Sequence, residues 1–201
     1  MHKTLSRICS LGTFVFFLAA VSTSLMAQDV SKGGDVVHAV AGVVTKLDSA
    51  AKTITLKTAD GTEHVFKYTE ATTVHAAEKG AGAAKAGVVD TYMKGKEGGN
   101  AVIHYTGEGA DKTAVHVEDF GKRSMQVGEG TVTGVDKGAR TITVKTKDGT
   151  EQTYHVAKDA TIDTEHGVTK GSELAVKKGE NVTVHYTDEA GKKIAHFFKS
   201  I

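Results

Sequence analysis

The chain has 201 residues, with 25 Lys and Arg against 24 Asp and Glu, 39% hydrophobic and 24% charged residues, one Cys and neither Pro nor Trp. That composition excludes a mainly disordered, collagen-like or multi-span membrane chain. Its 23 Gly, 7 Phe and 5 Tyr, set among many Thr and Val, favour short strands and tight turns over long helices, so the expected class is all-β.

Residues 1–27 read as a signal peptide. His2, Lys3 and Arg7 make a basic start, 8–21 is an apolar run shorter than a membrane span, and Leu25-Met26-Ala27 offers a small residue for cleavage. The expected location is therefore periplasmic or secreted, with no stable membrane span after cleavage. Loss of Lys3 and Arg7 turns 25 bases and 24 acids into a formal charge of −1, so the mature chain lacks the basic surplus that drives nucleic-acid binding. The one Cys, Cys9, lies inside the leader, which leaves no disulfide, thiolate metal site or thiol nucleophile behind it. No cofactor is expected.

After a tail at 28–37, the chain is duplicated: repeat one at 38–119, a linker at 120–127 and repeat two at 128–201. Placing Gly42 on Gly130 superimposes 42–63 on 130–151 with 14 of 22 positions identical, too many for chance agreement between strands. Asn100-Ala101-Val102-Ile103-His104-Tyr105-Thr106 then matches Asn181-Val182-Thr183-Val184-His185-Tyr186-Thr187, with seven extra residues in repeat one that fall in the low-complexity stretch 76–86. The predicted strands are 38–47, 52–58, 63–68, 101–106 and 113–118, with counterparts at 128–135, 140–146, 152–156, 181–187 and 194–198. Asp60-Gly61 and Asp148-Gly149 predict hairpins between the second and third strands, because Gly supplies the positive φ of the turn. Alternation puts Ile54, Leu56, Ile142 and Val144 on buried faces and their Thr and Lys neighbours in water.

Between the third and fourth strands, Ser172-Glu173-Leu174-Ala175-Val176 and 88–93 predict one short helix per repeat, ended by Gly179 and Gly95. Three strands, a short helix and two strands is the order of an OB-type barrel, so the expected fold is two tandem OB-like small β-barrels. The run Gly130-Thr131-Val132, Thr141-Ile142-Thr143-Val144, Asp148-Gly149, Ala160-Thr161-Ile162, Leu174, Lys178-Gly179, Val182-Thr183-Val184 and Ala195 resembles a family of uncharacterised domains in exported bacterial proteins. The resemblance covers most of repeat two and, less sharply, repeat one. It implies small OB-type barrels, often in tandem, in an exported protein, and it brings no reaction and no binding residues.

Catalytic motifs are missing. There is no Gly-x-Ser-x-Gly elbow, phosphate loop, His-Glu-x-x-His helix or calcium loop, and the few serines have no activating neighbours. His116-Val117-Glu118 matches half of a deaminase zinc motif without the cysteine pair that completes it. The expected role is non-catalytic: binding of an envelope component or a small ligand.

Histidine is the unusual count, with nine of the ten after the leader. Alternation turns Ile103, Tyr105, Val184 and Tyr186 inward, and likewise Val115, Val117, Ala195 and Phe197. His104, His116, His185 and His196 then face solvent, and in a terminal hairpin His104 opposes His116 and His185 opposes His196. Such pairs could share a weakly held Cu(II) or Zn(II), so metal handling is the alternative function. A concave patch carrying Tyr68, Tyr92 or Tyr154 would favour ligand binding; four clustered imidazoles would favour metal. Phe197 and Phe198 are consecutive, so one must leave its own core, and packing between the repeats is the expected use.

Overall fold

The computed structural model describes residues 36–76, 85, 86 and 89–201. The leader, most of the tail at 28–37 and most of the 76–86 stretch lie outside the described residues. The first barrel is built from β1 (His38–Asp48), β2 (Thr53–Lys57), β3 (Glu63–Lys67), β4 (Thr73–Ala76), β5 (Lys85–Ala86), α1 (Val89–Tyr92), β6 (Asn100–Thr106) and β7 (Thr113–Gly121). The second is built from β8 (Gln126–Asp136), β9 (Thr141–Thr146), β10 (Glu151–Thr164), β11 (Gly167–Lys170), β12 (Asn181–Glu189) and β13 (Lys192–Ser200).

In the first sheet β1 pairs with β2 and β6, β2 with β3, and β6 with β7. A parallel contact between Lys67 of β3 and Thr113 of β7 closes the ring. The second sheet closes in the same order through β8, β9, β10, β13 and β12, with β10 and β13 parallel. This circuit, antiparallel except at the closing pair, is the OB-type topology, and closure removes the exposed edges that a chain without Pro has few means to blunt. β4 and β11 are added strands, β4 on β7 and β11 on the far half of β10.

Each barrel fills itself. Val44, Ile54, Leu56, Phe66, Ile103 and Val117 are buried in the first core; Ile142, Val144, Tyr154, Val184, Ala195 and Phe198 are buried in the second. The Asp-Gly turns form as the sequence requires, with Gly61 at φ 88° and Gly149 at φ 86°, and the Asp60 and Asp148 carboxylates each accept the backbone N–H two residues on at 3.0 Å. A second duplicated turn precedes β2 and β9. Asp48 accepts from Ala51 N–H at 2.9 Å and Asp136 from Ala139 N–H at 2.8 Å, and Lys52 and Arg140 both take φ 54°. The shared glycines of the first strand serve close approach: a Cβ at Gly42 would run into the carbonyl of Lys57, and one at Gly130 into that of Lys145.

Two expectations need correction. Residues 172–176 form no helix: Leu174 adopts φ 44°, outside the helical region, and turns into the second core with Val176, so burial of these two side chains outweighs local propensity. Of the two expected helices only α1 forms among the described residues, as a single turn. The third strand of repeat two continues to Thr164, eight residues beyond the expected end at Val156. Its pairing with β13 shifts register between Val156 and Thr161, which lets one strand serve two neighbours.

The barrels meet through a core of their own. Ala39, Ala41 and Val102 on the outer face of β1 and β6, with Phe120 of β7, pack against Phe197 of β13. The small alanines leave room for the phenylalanine, so of the consecutive pair Phe198 fills its own barrel and Phe197 the junction. Around this patch the buried Asp163 carboxylate takes His38 Nδ1 at 3.1 Å and the Lys199 ammonium at 2.9 Å. Lys199 also donates to the Ala39 carbonyl at 3.2 Å, and Val168 N–H to the Val37 carbonyl at 2.9 Å. A buried carboxylate with an ammonium partner and a further donor is satisfied, so these groups fix how the barrels dock.

Candidate ligand-binding cleft and histidine cluster

Beside the shared core lies a cleft of about 970 Å³ walled by both barrels: His104, His116 and Glu118 of β6 and β7 on one side, and Lys158 to Thr161 of β10 with Val168, Thr169, Lys170, Ser172 and Glu173 on the other. The wall from the second barrel combines the part of β10 that runs past its expected end with β11 and the turn after it. Charges of both signs line it, Lys158 and Lys170 among Glu118, Asp159 and Glu173, which suits a polar ligand with more than one functional group.

His104 and His116 come together as the hairpin predicts. They are direct partners across β6 and β7, with ring centroids 5.2 Å apart and planes at 89°. Glu118, two residues after His116 and so on the same face, places Oε1 3.2 Å from His104 Nε2 and 4.0 Å from His116 Nε2. Thr161 reaches across from the second barrel: its hydroxyl donates to Glu118 Oε1 at 3.1 Å and lies 3.1 Å from His104 Nε2. Thr73 of β4 engages His116 Nδ1 at 2.5 Å, and His75 stands beside Glu118 in the β4–β7 register. Burial, reinforced by the nearby His104, lowers the pKa of His116, with Glu118 opposing, so this imidazole is neutral at pH 7. Among the described residues, no three or more His, Cys, Asp or Glu side chains are placed as they stand to hold a metal ion.

Thr161, His104 and Glu118 do not make a nucleophile relay. Such a relay needs the acid and the hydroxyl on opposite ring nitrogens, whereas Thr161 and Glu118 both address Nε2 of His104.

The second histidine pair does not form. β12 and β13 shift register between His185 and Tyr186, so His185 faces Phe197, Tyr186 faces Ala195, and His196 falls in the bulge. Nor are these rings in solvent: they are 8% and 7% exposed, because the other barrel covers the face a lone barrel would show to water. His196 packs on Phe120 of the first barrel, with ring centroids 5.2 Å apart, and its Nε2 lies 2.9 Å from Thr187 Oγ1. His185 lies against Phe197 and shares a crevice of about 290 Å³ with Val40 and Ala41 of β1. A matching bulge in the first barrel reverses the expected place of Val115, which is 37% exposed while Ala114 and Val117 turn inward. Tyr68 and Tyr154 are core residues, Tyr68 also edging a small pocket of about 200 Å³ with Lys52 and Asp90, and Tyr92 packs on the first core under the Lys96 ammonium, 3.8 Å from its ring centre.

Missing from the expected site were Glu118 and Thr161. Glu118 was findable, since spacing of two from His116 shares its strand face. Thr161 was not, because only docking of the barrels brings it near.

The fold and junction define a class: a tandem OB-type barrel protein with a composite cleft. No protein-family model matches the chain, and no curated sequence matches it. Among solved structures it is similar to apo-CusF from Escherichia coli, at 12% identity and TM-score 0.31 over 39% of this chain and 88% of that one. It is likewise similar to Ag(I)CusF, at 12% identity and TM-score 0.30 over 39% and 99% of the two chains. A Cu(II) form of a single-substitution CusF variant from Escherichia coli gives 13% identity and TM-score 0.29 over 38% and 91%. Likenesses this distant carry nothing about chemistry, and the OB-type assignment rests on the strand pairing itself.

Proposed function

We propose that the chain is an exported, non-catalytic binding protein that holds a small polar ligand, or a polar segment of an envelope component, in the cleft between its barrels. The carrying observation is that cleft of about 970 Å³, walled by both repeats and lined with charged and hydroxyl groups, beside barrels whose interiors are filled by their own side chains. Export is supported by the basic start and apolar run of 1–27, and a binding role without chemistry by the lack of a recognisable catalytic motif in the sequence. The near-neutral charge gives no support to a nucleic-acid partner, and no helix among the described residues is long and apolar enough to cross a membrane.

Titrating the protein with polar fragments, amino acids and sugars while following backbone amide NMR tests the reading. Binding is expected to shift Thr161, Thr169, Lys170 and Ser172 together. Shifts confined to other surfaces, or none across the set, would contradict it. The alternative function, metal binding, is favoured by one observation, the opposed His104 and His116 with Glu118 beside them.

A further inference from the structure

We propose that His104, His116 and Glu118 bind a divalent d-block cation, zinc(II) or copper(II), at the wall of the cleft. The inference rests on reading that cleft as the binding site, and it names the class of ligand.

The three groups come from a two-strand arrangement that needs no loop to position them. Residues 104 and 116 are direct cross-strand partners, and 118 follows on the same face of β7. Donors held about 2.0–2.2 Å from a tetrahedral cation sit about 3.3–3.6 Å from one another. The 3.2 Å between His104 Nε2 and Glu118 Oε1 is close to that spacing, and the 4.0 Å from His116 Nε2 to the same oxygen closes with a movement of about half an ångström. His116 lines the open cleft with 25% of its side chain exposed, and closing that gap is the rearrangement that cation binding has to drive.

The surroundings prepare the donors. Thr73 engages His116 Nδ1, which leaves Nε2 as the nitrogen facing Glu118, the outer-shell arrangement that orients ligating imidazoles. A cation would take the place of the hydrogen bonds that now join Thr161, His104 and Glu118, and the carboxylate would gain a formal counter-charge. Two imidazoles and one carboxylate suit zinc and copper over magnesium or calcium, which prefer oxygen ligands alone. The remaining coordination positions open toward the cleft, where water or a second ligand completes the shell. His75 stands on the same outer face, one strand away.

Zinc chloride titrated into the chelator-treated full chain, followed by calorimetry and histidine-ring NMR, decides the matter. One equivalent is expected to bind, shifting the rings of His104 and His116 and leaving those of His185 and His196 unmoved. Glu118→Gln and His116→Gln should each weaken binding by at least tenfold, whereas His166→Gln, at an 81% exposed side chain, should not change it. Absence of heat and ring shifts, or binding that survives both Glu118→Gln and His116→Gln, would overturn the proposal. If polar fragments shift Thr161 and Thr169 in a protein inert to zinc, the cation site falls and the cleft reading stands. Zinc binding at these rings with no fragment entering the cleft would uphold the cation site and remove the broader reading.

Discussion

Replacing Phe197 with Ala is expected to lower the unfolding free energy by about 3–5 kcal/mol, the usual cost of truncating a buried phenylalanine. The ring is 1% exposed and packs against Ala39, Ala41, Val102 and Phe120, all contributed by the other barrel. The alanines that make room for it have no side-chain freedom with which to close the resulting cavity, which puts the effect toward the upper part of that range. The loss should carry a second signature: with the junction loosened, the rings of His185 and His196 regain water and titrate nearer to the ordinary value of about 6.5. Urea unfolding of the variant measures the first effect and ring NMR the second. A loss under about 1 kcal/mol, against the 3–5 expected for a packed ring, would mean that the barrels do not share this core.

Acid is expected to destabilise the protein well before most carboxylates titrate. Burial pushes the pKa of His185 down to about 4, and burial also lowers that of His196. In the unfolded chain both imidazoles titrate near 6.5. Between those values the unfolded chain binds protons that the folded chain refuses, so stability is complete above about pH 6.5 and falls as the pH drops toward 4. His185 alone accounts for about 3 kcal/mol of that fall, and His196 and His116, both lowered chiefly by burial, act in the same direction. Urea unfolding at pH 7.5 and pH 4.5 checks it. Equal stability at the two pH values would show that His185 is not buried neutral, and a His185→Gln variant should flatten the slope.

Both predictions draw on the face where sequence reading and structure part company. The duplication, the hairpins at Asp60-Gly61 and Asp148-Gly149 and the inward set of Ile54, Leu56, Ile142 and Val144 were legible because alternation and turn chemistry are local. The bulges beside His104 and His185 were not. A single extra residue exchanges the two faces of everything beyond it, and nothing in Val115 or His196 marks the place. The polar run Lys158-Asp159 hid the continuation of β10 for a related reason: that stretch falls in the break of the β10–β13 register between Val156 and Thr161 and lines the cleft, where its charged side chains reach water.

The histidines show the same division. Outward orientation of His104, His116 and His185 followed from alternation, but whether outward meant solvent depended on a neighbour. The barrel-to-barrel contact turned His185 and His196 into buried rings and left His104 and His116 at a cleft wall. Phe197-Phe198 was the one sequence feature that pointed to a second apolar surface, since consecutive strand residues cannot both face one core.

The central claim is that the barrels dock through the face bearing Ala39, Ala41, Val102, Phe120 and Phe197, because this contact builds the cleft and buries the second histidine pair. Nuclear Overhauser spectroscopy on methyl-labelled protein tests it most directly. Strong cross-peaks between the Val102 methyls and the Phe197 ring, and between the Phe120 and His196 rings, are the predicted result; barrels that give complete intra-barrel contacts without either of these would contradict it.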